Sequence, residues 1–174
     1  MSHAVLFLCT GNAARSVMAG AALAAHLPHW YVATAGTLVV EGQPMSWRTR
    51  AALEHVGLEA ASHRSRQADP SSLDHAALVV GLAPEHVQWV RRTHPRAAAR
   101  TGTLRRLARD LPADGRALPE RVAALTLAEV ELEDWEEVVD PGGGDADAFR
   151  ACAVEVTELV GELARRLDPP AGTS

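Results

Sequence analysis

A cysteine and an arginine near the start of the chain have the spacing of a phosphate-binding loop. Cys9 ends an apolar run at residues 5–8, and five residues separate it from Arg15. A cysteine thiolate is a nucleophile, and a guanidinium group can donate to two phosphoryl oxygens at once. Gly11 and Asn12 lie between them, and both residue types tolerate the backbone angles that a loop around an anion requires. The pattern predicts a site at which a thiolate attacks a bound phosphoryl group.

The flanking sequence predicts the elements that would position this loop. Ala4–Cys9 has the composition of a strand buried on both faces, and Ala14–Leu27 that of a helix stopped by Pro28. Loop N–H groups followed by a helix N-terminus favour a bound anion. The spacing alone leaves a second interpretation open, in which Cys9 is a structural core residue and Arg15 is solvated.

Further along the chain, predicted strands and helices alternate, which favours a single doubly wound α/β domain with a parallel sheet. We expect this domain to cover residues 1–167, with a flexible tail at 168–174 and a solvated connection with one short helix at 112–136. The predicted strands are Trp30–Ala35, Ala76–Leu82 and Ala98–Leu104, and the predicted helices are Ser46–Val56, Pro84–Thr93, Leu104–Leu111 and Ala146–Leu167, with a helical turn from Pro70.

Composition limits the classes of partner and compartment. A net charge of −5 provides no basic field for nucleic acid, and no apolar run is long enough to span a membrane. Two cysteines imply no disulfide framework, the start carries no signal peptide, and no histidine has a familiar metal-ligand spacing. We therefore expect a cytoplasmic protein without a metal or cofactor, and the absence of lysine and isoleucine indicates a GC-rich, bacterial genome.

Several segments together resemble the low-molecular-weight protein tyrosine phosphatase family, which includes a branch of arsenate reductases. Besides the Cys9 loop, the resemblance rests on Thr34-Ala35-Gly36-Thr37, on Gly57 followed by residues 63–67, and on Asp140-Pro141 with Phe149. These landmarks follow the family's order from Val5 to Leu167. The resemblance implies a four-stranded parallel sheet flanked by helices, with the phosphate loop directly after the first strand.

The resemblance also implies a role for each site residue. Cys9 would form a phosphocysteine, and Asp140 would protonate the leaving group and then activate water. Arg15 would bind the phosphoryl group together with the rest of the loop, namely Thr10, Gly11, Asn12, Ala13, Ala14 and Ser16. By the same resemblance, Ser16 would also donate to the thiolate.

A supporting polar network is implied as well. In it, Thr34 and His63 would hold Asn12 in a strained conformation. From the residues alone, Asn12 could equally bond within its own loop, and His63 could lie at the surface.

Three departures from the family pattern bear on specificity. Ala14 replaces a cysteine that often precedes the arginine, Ala13 is small, and aromatic residues are missing around 38–41 and after Pro141. Trp47 and Trp135 are near in sequence and could substitute for these aromatics, but we expect both to be packed.

The main functional prediction is a cysteine-dependent phosphatase acting on phosphotyrosine or a related phosphorylated residue of a protein, or on a small phosphoester. The alternatives are a phosphoarginine phosphatase, an arsenate reductase that uses an external small thiol, and a phosphate-binding module without catalysis. We expect a monomer or a weak dimer that binds neither nucleic acid nor membrane.

Overall fold

Short apolar runs form the four strands of one parallel sheet in the computed structural model, which describes residues 3–60 and 62–171. The strands are β1 (Ala4–Cys9), β2 (Tyr31–Gly36), β3 (Leu78–Gly81) and β4 (Thr101–Thr103). Their order is β2-β1-β3-β4, and all three pairings are parallel. The predicted four-stranded α/β fold is confirmed.

Helices cover both faces of the sheet and create two apolar cores. One core contains Phe7 and Val80 and is covered by α1, α2, α5 and α7, whereas the other contains Leu8 and Val79 and is covered by α3 and α4. The helices are α1 (Arg15–His26), α2 (Trp47–His55), α3 (Pro70–His75), α4 (Pro84–Thr93), α5 (Leu104–Asp110), α6 (Leu118–Ala123) and α7 (Ala146–Leu167), with 3-10 turns at Pro95–Arg100 and Asp134–Glu136.

The fourth strand and the connection after it differ from the prediction. The strand spans only Thr101–Thr103, because the residues before it form the 3-10 turn. The connection was predicted to be solvated with one short helix. The short helix is α6, but the connection is not solvated throughout: Leu118, Val122 and Leu127 are buried, and so is Glu136. Its apolar residues pack into the larger core.

The C-terminal part of the chain forms the predicted helix α7, and the described residues after it have no regular secondary structure. On this helix Val154 is exposed, while Val156 and Leu163 are buried. Part of the predicted flexible tail, residues 172–174, lies outside the described residues, and its mobility stays a prediction. Within the described chain, every helix is too short or too polar to cross a membrane.

Candidate active site

The loop between β1 and α1 gathers the predicted nucleophile and the first turn of a helix. Cys9 is the last residue of β1 and is buried, and Arg15 is the first residue of α1. Ala14 occupies the N-cap of α1 and provides no side-chain oxygen, so the N–H groups of the first helical turn receive no side-chain cap. Uncapped N–H groups at a helix start are donors for an anion.

Asn12 fixes the shape of the loop from its centre. Its φ of 51° lies in the left-handed region, and its side chain is fully buried. The Asn12 Oδ1 accepts from the Arg66 N–H (2.9 Å), and its carbonyl accepts from Ser65 Oγ (2.9 Å) and His63 Nε2 (2.8 Å). Three donors from residues 63–66 therefore hold a conformation that a non-glycine residue rarely adopts.

The same side chain determines how Ser16 can act on Cys9. Asn12 Nδ2 donates to Ser16 Oγ at 2.9 Å, and Ser16 Oγ lies 2.9 Å from Cys9 Sγ. Because the serine oxygen already accepts from an amide, its own hydrogen is available to the sulfur. This chain of donors can direct a hydroxyl hydrogen at the Cys9 sulfur.

Thr34 does not take part in this network, in contrast to the prediction. Its methyl group lies against α1, where a Cβ added at Gly20 would approach Thr34 Cγ2 to 2.5 Å. The hydroxyl group that bonds Asn12 comes from Ser65 instead. The signal for Ser65 was its place two residues after His63, in the segment that resembles the family.

Close backbone contacts join β2 to the loop. The N–H groups of Thr37 and Leu38 donate to the carbonyls of Cys9 (2.9 Å) and Thr10 (3.0 Å). A Cβ at Gly36 would lie 2.4 Å from the Thr10 carbonyl oxygen, so this close approach requires glycine.

Arg15 connects the loop to the predicted acid. Its Nη1 donates to the Val138 carbonyl at 3.0 Å, and its Nη2 lies 3.6 Å from Asp140 Oδ2. The Asp140 side chain is 58% exposed, and its Oδ1 accepts from the Gly142 N–H. The structure therefore brings Cys9, Arg15 and Asp140 to the same end of the sheet, although 125 positions separate Arg15 from Asp140.

A buried ion pair anchors the segment that leads to Asp140. The Glu136 carboxylate accepts from Arg106 Nε and Thr103 Oγ1, each at 2.8 Å, and from the Glu133 N–H at 2.7 Å. Burial favours protonation of Glu136, but the hydrogen bonds from Arg106, Glu133 and Thr103 outweigh it and hold its pKa below the ordinary value. These contacts hold the start of the segment that leads to Asp140 in place.

Sequence reasoning missed His86, which contacts the loop from α4. Its Nε2 lies 3.0 Å from Thr10 Oγ1, and its Nδ1 accepts from the Ala83 N–H. Burial, with a smaller contribution from the positive charge of Arg15, lowers the pKa of His86 to about 3. The sequence offered one signal, a polar residue in the first turn of a helix that follows a strand of a parallel sheet.

Exposed aliphatic residues follow β2, whose end contacts the loop, and precede the predicted acid. Leu38 and Val40 follow β2, Val139 precedes the acid, and all three are exposed. Trp47, expected to be packed, is exposed, so that expectation is wrong. Its neighbour Thr49 donates to the Ala13 carbonyl at 3.1 Å, which places the start of α2 beside the loop.

Neither a metal centre nor a second reactive thiol accompanies the site in residues 3–60 and 62–171. No three His, Cys, Asp or Glu side chains in these residues could share a metal ion. Cys152 is buried on α7, as expected of a core residue, and burial raises the pKa of its thiol to about 12.

Comparison with known proteins gives matches over most of the chain. A family model described as low molecular weight phosphotyrosine protein phosphatase matches residues 4–120. A protein-arginine-phosphatase from Geobacillus stearothermophilus is 30% identical over 168 residues, which are 96% of this chain and 97% of the relative. A probable low molecular weight protein-tyrosine-phosphatase, EpsP from Ralstonia nicotianae, is 32% identical over 107 residues, which are 62% of this chain and 72% of the relative.

A solved structure also superposes on most of this chain. The arginine phosphatase YwlE from Geobacillus stearothermophilus superposes with a TM-score of 0.76 at 31% identity. The superposition covers 95% of this chain and 92% of that chain.

Proposed function

This chain belongs to the low molecular weight phosphotyrosine protein phosphatase family, and we propose that Cys9 is the nucleophile with which it hydrolyses a phosphorylated protein residue. The observation that carries the proposal is the placement of four groups around one loop. Ser16 Oγ lies 2.9 Å from Cys9 Sγ, and the guanidinium of Arg15, the residue that follows the loop, lies 3.6 Å from Asp140.

In the first step, Cys9 Sγ forms a bond to phosphorus and the bond to the leaving atom breaks. Loop N–H groups and Arg15 bind the equatorial oxygens, whose charge they stabilise in the transition state. Asp140 donates a proton to the leaving atom, and its exposed carboxyl group suits a place at the mouth.

In the second step, water attacks phosphorus and Asp140 accepts its proton. The sulfur–phosphorus bond breaks, and Cys9 leaves as a thiolate that the Ser16 hydroxyl stabilises. Inorganic phosphate and the starting enzyme are the products. The Asn12 network contributes by holding Ser16 and the loop in place before the substrate arrives.

Steady-state hydrolysis of p-nitrophenyl phosphate tests this mechanism. We expect Cys9→Ser to abolish turnover, and the matched variant Cys152→Ser to retain it, because Cys152 lies in the core on α7. Asp140→Asn should lower kcat by roughly 10²-fold or more for phenyl phosphate, whose leaving group needs the proton, and by less for p-nitrophenyl phosphate. Turnover by Cys9→Ser, or none by the wild type, would contradict the proposal.

Phosphoarginine is a second candidate substrate, favoured by the mouth of the site. Leu38 and Val40, which follow the strand end that contacts Thr10, and Val139, which precedes Asp140, are exposed aliphatic residues, and Gly142–Gly144 follow Pro141. An aliphatic mouth suits a flexible guanidine-bearing side chain better than a flat ring, which aromatic walls would hold. One relative that matches nearly the whole chain is a protein-arginine-phosphatase.

With phosphoarginine, the bond that breaks joins phosphorus to nitrogen, and Asp140 would protonate the departing guanidine. Matched peptides carrying phosphoarginine or phosphotyrosine at one position give the discriminating measurement. We expect a higher kcat/KM for the phosphoarginine peptide, and a clear preference for phosphotyrosine would refute this assignment while leaving the phosphatase mechanism intact.

We also propose that the enzyme works in the bacterial cytoplasm on phosphorylated proteins. Its two cysteines are free and buried, which fits a reducing compartment. That it binds no nucleic acid and acts as a monomer or weak dimer stays a prediction.

A further inference from the structure

The side chain of Thr10, the first loop residue after the nucleophile, is held from outside the loop. Its hydroxyl lies 3.0 Å from His86 Nε2 and 3.5 Å from Glu85 Oε1. Both partners belong to the first turn of α4 and are 75 or more positions away in sequence. This contact is separate from the Asn12 network, which comes from residues 63–66.

The direction of these hydrogen bonds follows from a single backbone donor. The Ala83 N–H points at His86 Nδ1 at 3.0 Å, and an N–H can only donate, so Nδ1 accepts. The ring proton of a neutral imidazole is then on Nε2, which donates to Thr10 Oγ1. The Thr10 hydroxyl hydrogen is left for the Glu85 carboxylate.

The surroundings keep this imidazole neutral. His86 is 1% exposed, and Arg15 on α1 contributes a positive charge that opposes protonation, against a weaker opposite effect of Asp140. Protonation would place a second hydrogen on Nδ1, facing the Ala83 N–H, and would remove that acceptor. One tautomer therefore satisfies both neighbours.

The two halves of the loop are fixed by different parts of the fold. Residues 63–66 fix the second half through Asn12. In the first half, the Leu38 N–H donates to the Thr10 carbonyl, and His86 bonds the Thr10 hydroxyl. Among the described residues, the Thr10 hydroxyl has one further partner, the Glu85 carboxylate, which can only accept. His86 is therefore the donor to this hydroxyl.

We propose that His86 is a positioning residue that orients Thr10, so that the first N–H groups of the loop face the phosphoryl group. The inference rests on the proposed function, because it assigns His86 to the phosphate site of that mechanism. His86 touches neither the substrate nor Cys9 in this assignment, and acts through Thr10.

Substitutions at His86 with side chains of different length distinguish a positioning role from a purely structural one. His86 stands in the first turn of α4, where its Nδ1 takes up the Ala83 N–H at the N-cap. The oxygen of asparagine can occupy the place of Nδ1 and keep that contact, but its amide does not reach Thr10. The longer glutamine can place an N–H near the position of Nε2. Thr10→Val removes the partner hydroxyl and leaves the helix cap untouched.

The experiment measures dissociation constants of inorganic phosphate and of vanadate, kcat and KM for p-nitrophenyl phosphate, and the melting temperature. The variants are His86→Asn, His86→Gln, Thr10→Val and the double variant His86→Asn/Thr10→Val. We expect His86→Asn and Thr10→Val each to weaken phosphate binding about five-fold, the usual effect of one lost neutral hydrogen bond. The double variant should be no weaker than either single one, and His86→Gln should recover most of the loss.

Wild-type phosphate affinity in Thr10→Val, or additive losses in the double variant, would overturn the inference. So would a His86→Gln variant that binds phosphate no better than His86→Asn. If His86→Asn fails to fold, Thr10→Val and His86→Gln decide the question. Failure of the proposed function would look different, since the wild type would then bind phosphate without hydrolysing the aryl ester.

Discussion

Acidification from pH 7.5 to pH 4.5 should destabilise this fold through His86 by about 3 kcal/mol. In the unfolded chain a histidine has a pKa near 6.5, whereas burial and then the charge of Arg15 lower the pKa of His86 in the folded protein to about 3. Between these values the unfolded state binds one proton that the folded state does not. The free energy of unfolding therefore falls by about 1.4 kcal/mol for each pH unit below 6.5.

Urea unfolding of the wild type and of His86→Asn at pH 7.5, 6.5, 5.5 and 4.5 measures this effect. Asparagine does not titrate, so subtracting the two curves removes the contributions of all other groups. We expect the wild type to lose about 3 kcal/mol more than the variant between pH 7.5 and pH 4.5, with most of the loss below pH 6.5.

Parallel curves would refute the reasoning. They would mean that the folded protein accepts the proton at His86, and that the Ala83 N–H does not fix the tautomer. The chosen window also avoids Glu136, whose pKa is held below its ordinary value, so that the stability it contributes is lost only below about pH 4.5.

Three further outcomes follow from the same contacts. Ser65→Ala should lower kcat/KM for p-nitrophenyl phosphate about ten-fold because the loop loses a donor, while Thr34→Val should change it less than two-fold. Glu136→Gln should lower the free energy of unfolding in urea by about 3 kcal/mol because its buried guanidinium partner loses a countercharge; an unchanged value would contradict this. At pH 7.5 iodoacetamide should label Cys9 and spare Cys152, whose pKa is raised to about 12, as peptide mass spectrometry would show.

Helix bounds were predictable where the signals for a start are local. Helix α4 begins at Pro84 as predicted, because proline suits the first helical turn, and α2 follows Ser46, whose side chain accepts from the Thr49 N–H. Strand β4 was harder, because Thr101-Gly102-Thr103 has no apolar run. It is a strand because β3 offers a partner, in the register Val80↔Gly102, and pairing of this kind is not encoded in a short segment.

The residues of the candidate site likewise divide into those that depend on local sequence and those that depend on distant contacts. Cys9 and Arg15 were predictable because their geometry depends on one strand, one loop and one helix turn. His63 was also predicted to bond Asn12 and does so. The hydroxyl partner of Asn12 was not predictable, since Thr34 and Ser65 are both hydroxyl residues in segments that reach the loop, and only the direction of each side chain decides between them. His86 required knowledge that α4 starts beside Thr10, a contact between residues 76 positions apart.

The connection at 112–136 shows why an acidic run can mislead. Glu131, Glu133 and Glu137 are at least partly exposed, as charged residues usually are, yet Glu136 in the same run is fully buried. Its burial depends on Arg106, 30 positions earlier, which donates from Nε. The pair carries a cost of desolvation that only several hydrogen bonds offset, and the sequence does not indicate where those will meet.

The replacement of a neighbouring cysteine by Ala14 has a chemical consequence for Cys9. A thiolate that attacks phosphorus also reacts with peroxide to give a sulfenic acid, which a nearby thiol converts to a reducible disulfide. The chain has two cysteines, and the second, Cys152, has a thiol whose pKa burial raises to about 12, so it is not a thiolate near neutral pH. Oxidised Cys9 therefore depends on a thiol supplied from solution. The lifetime of the enzyme in turn depends on the reducing capacity of its surroundings.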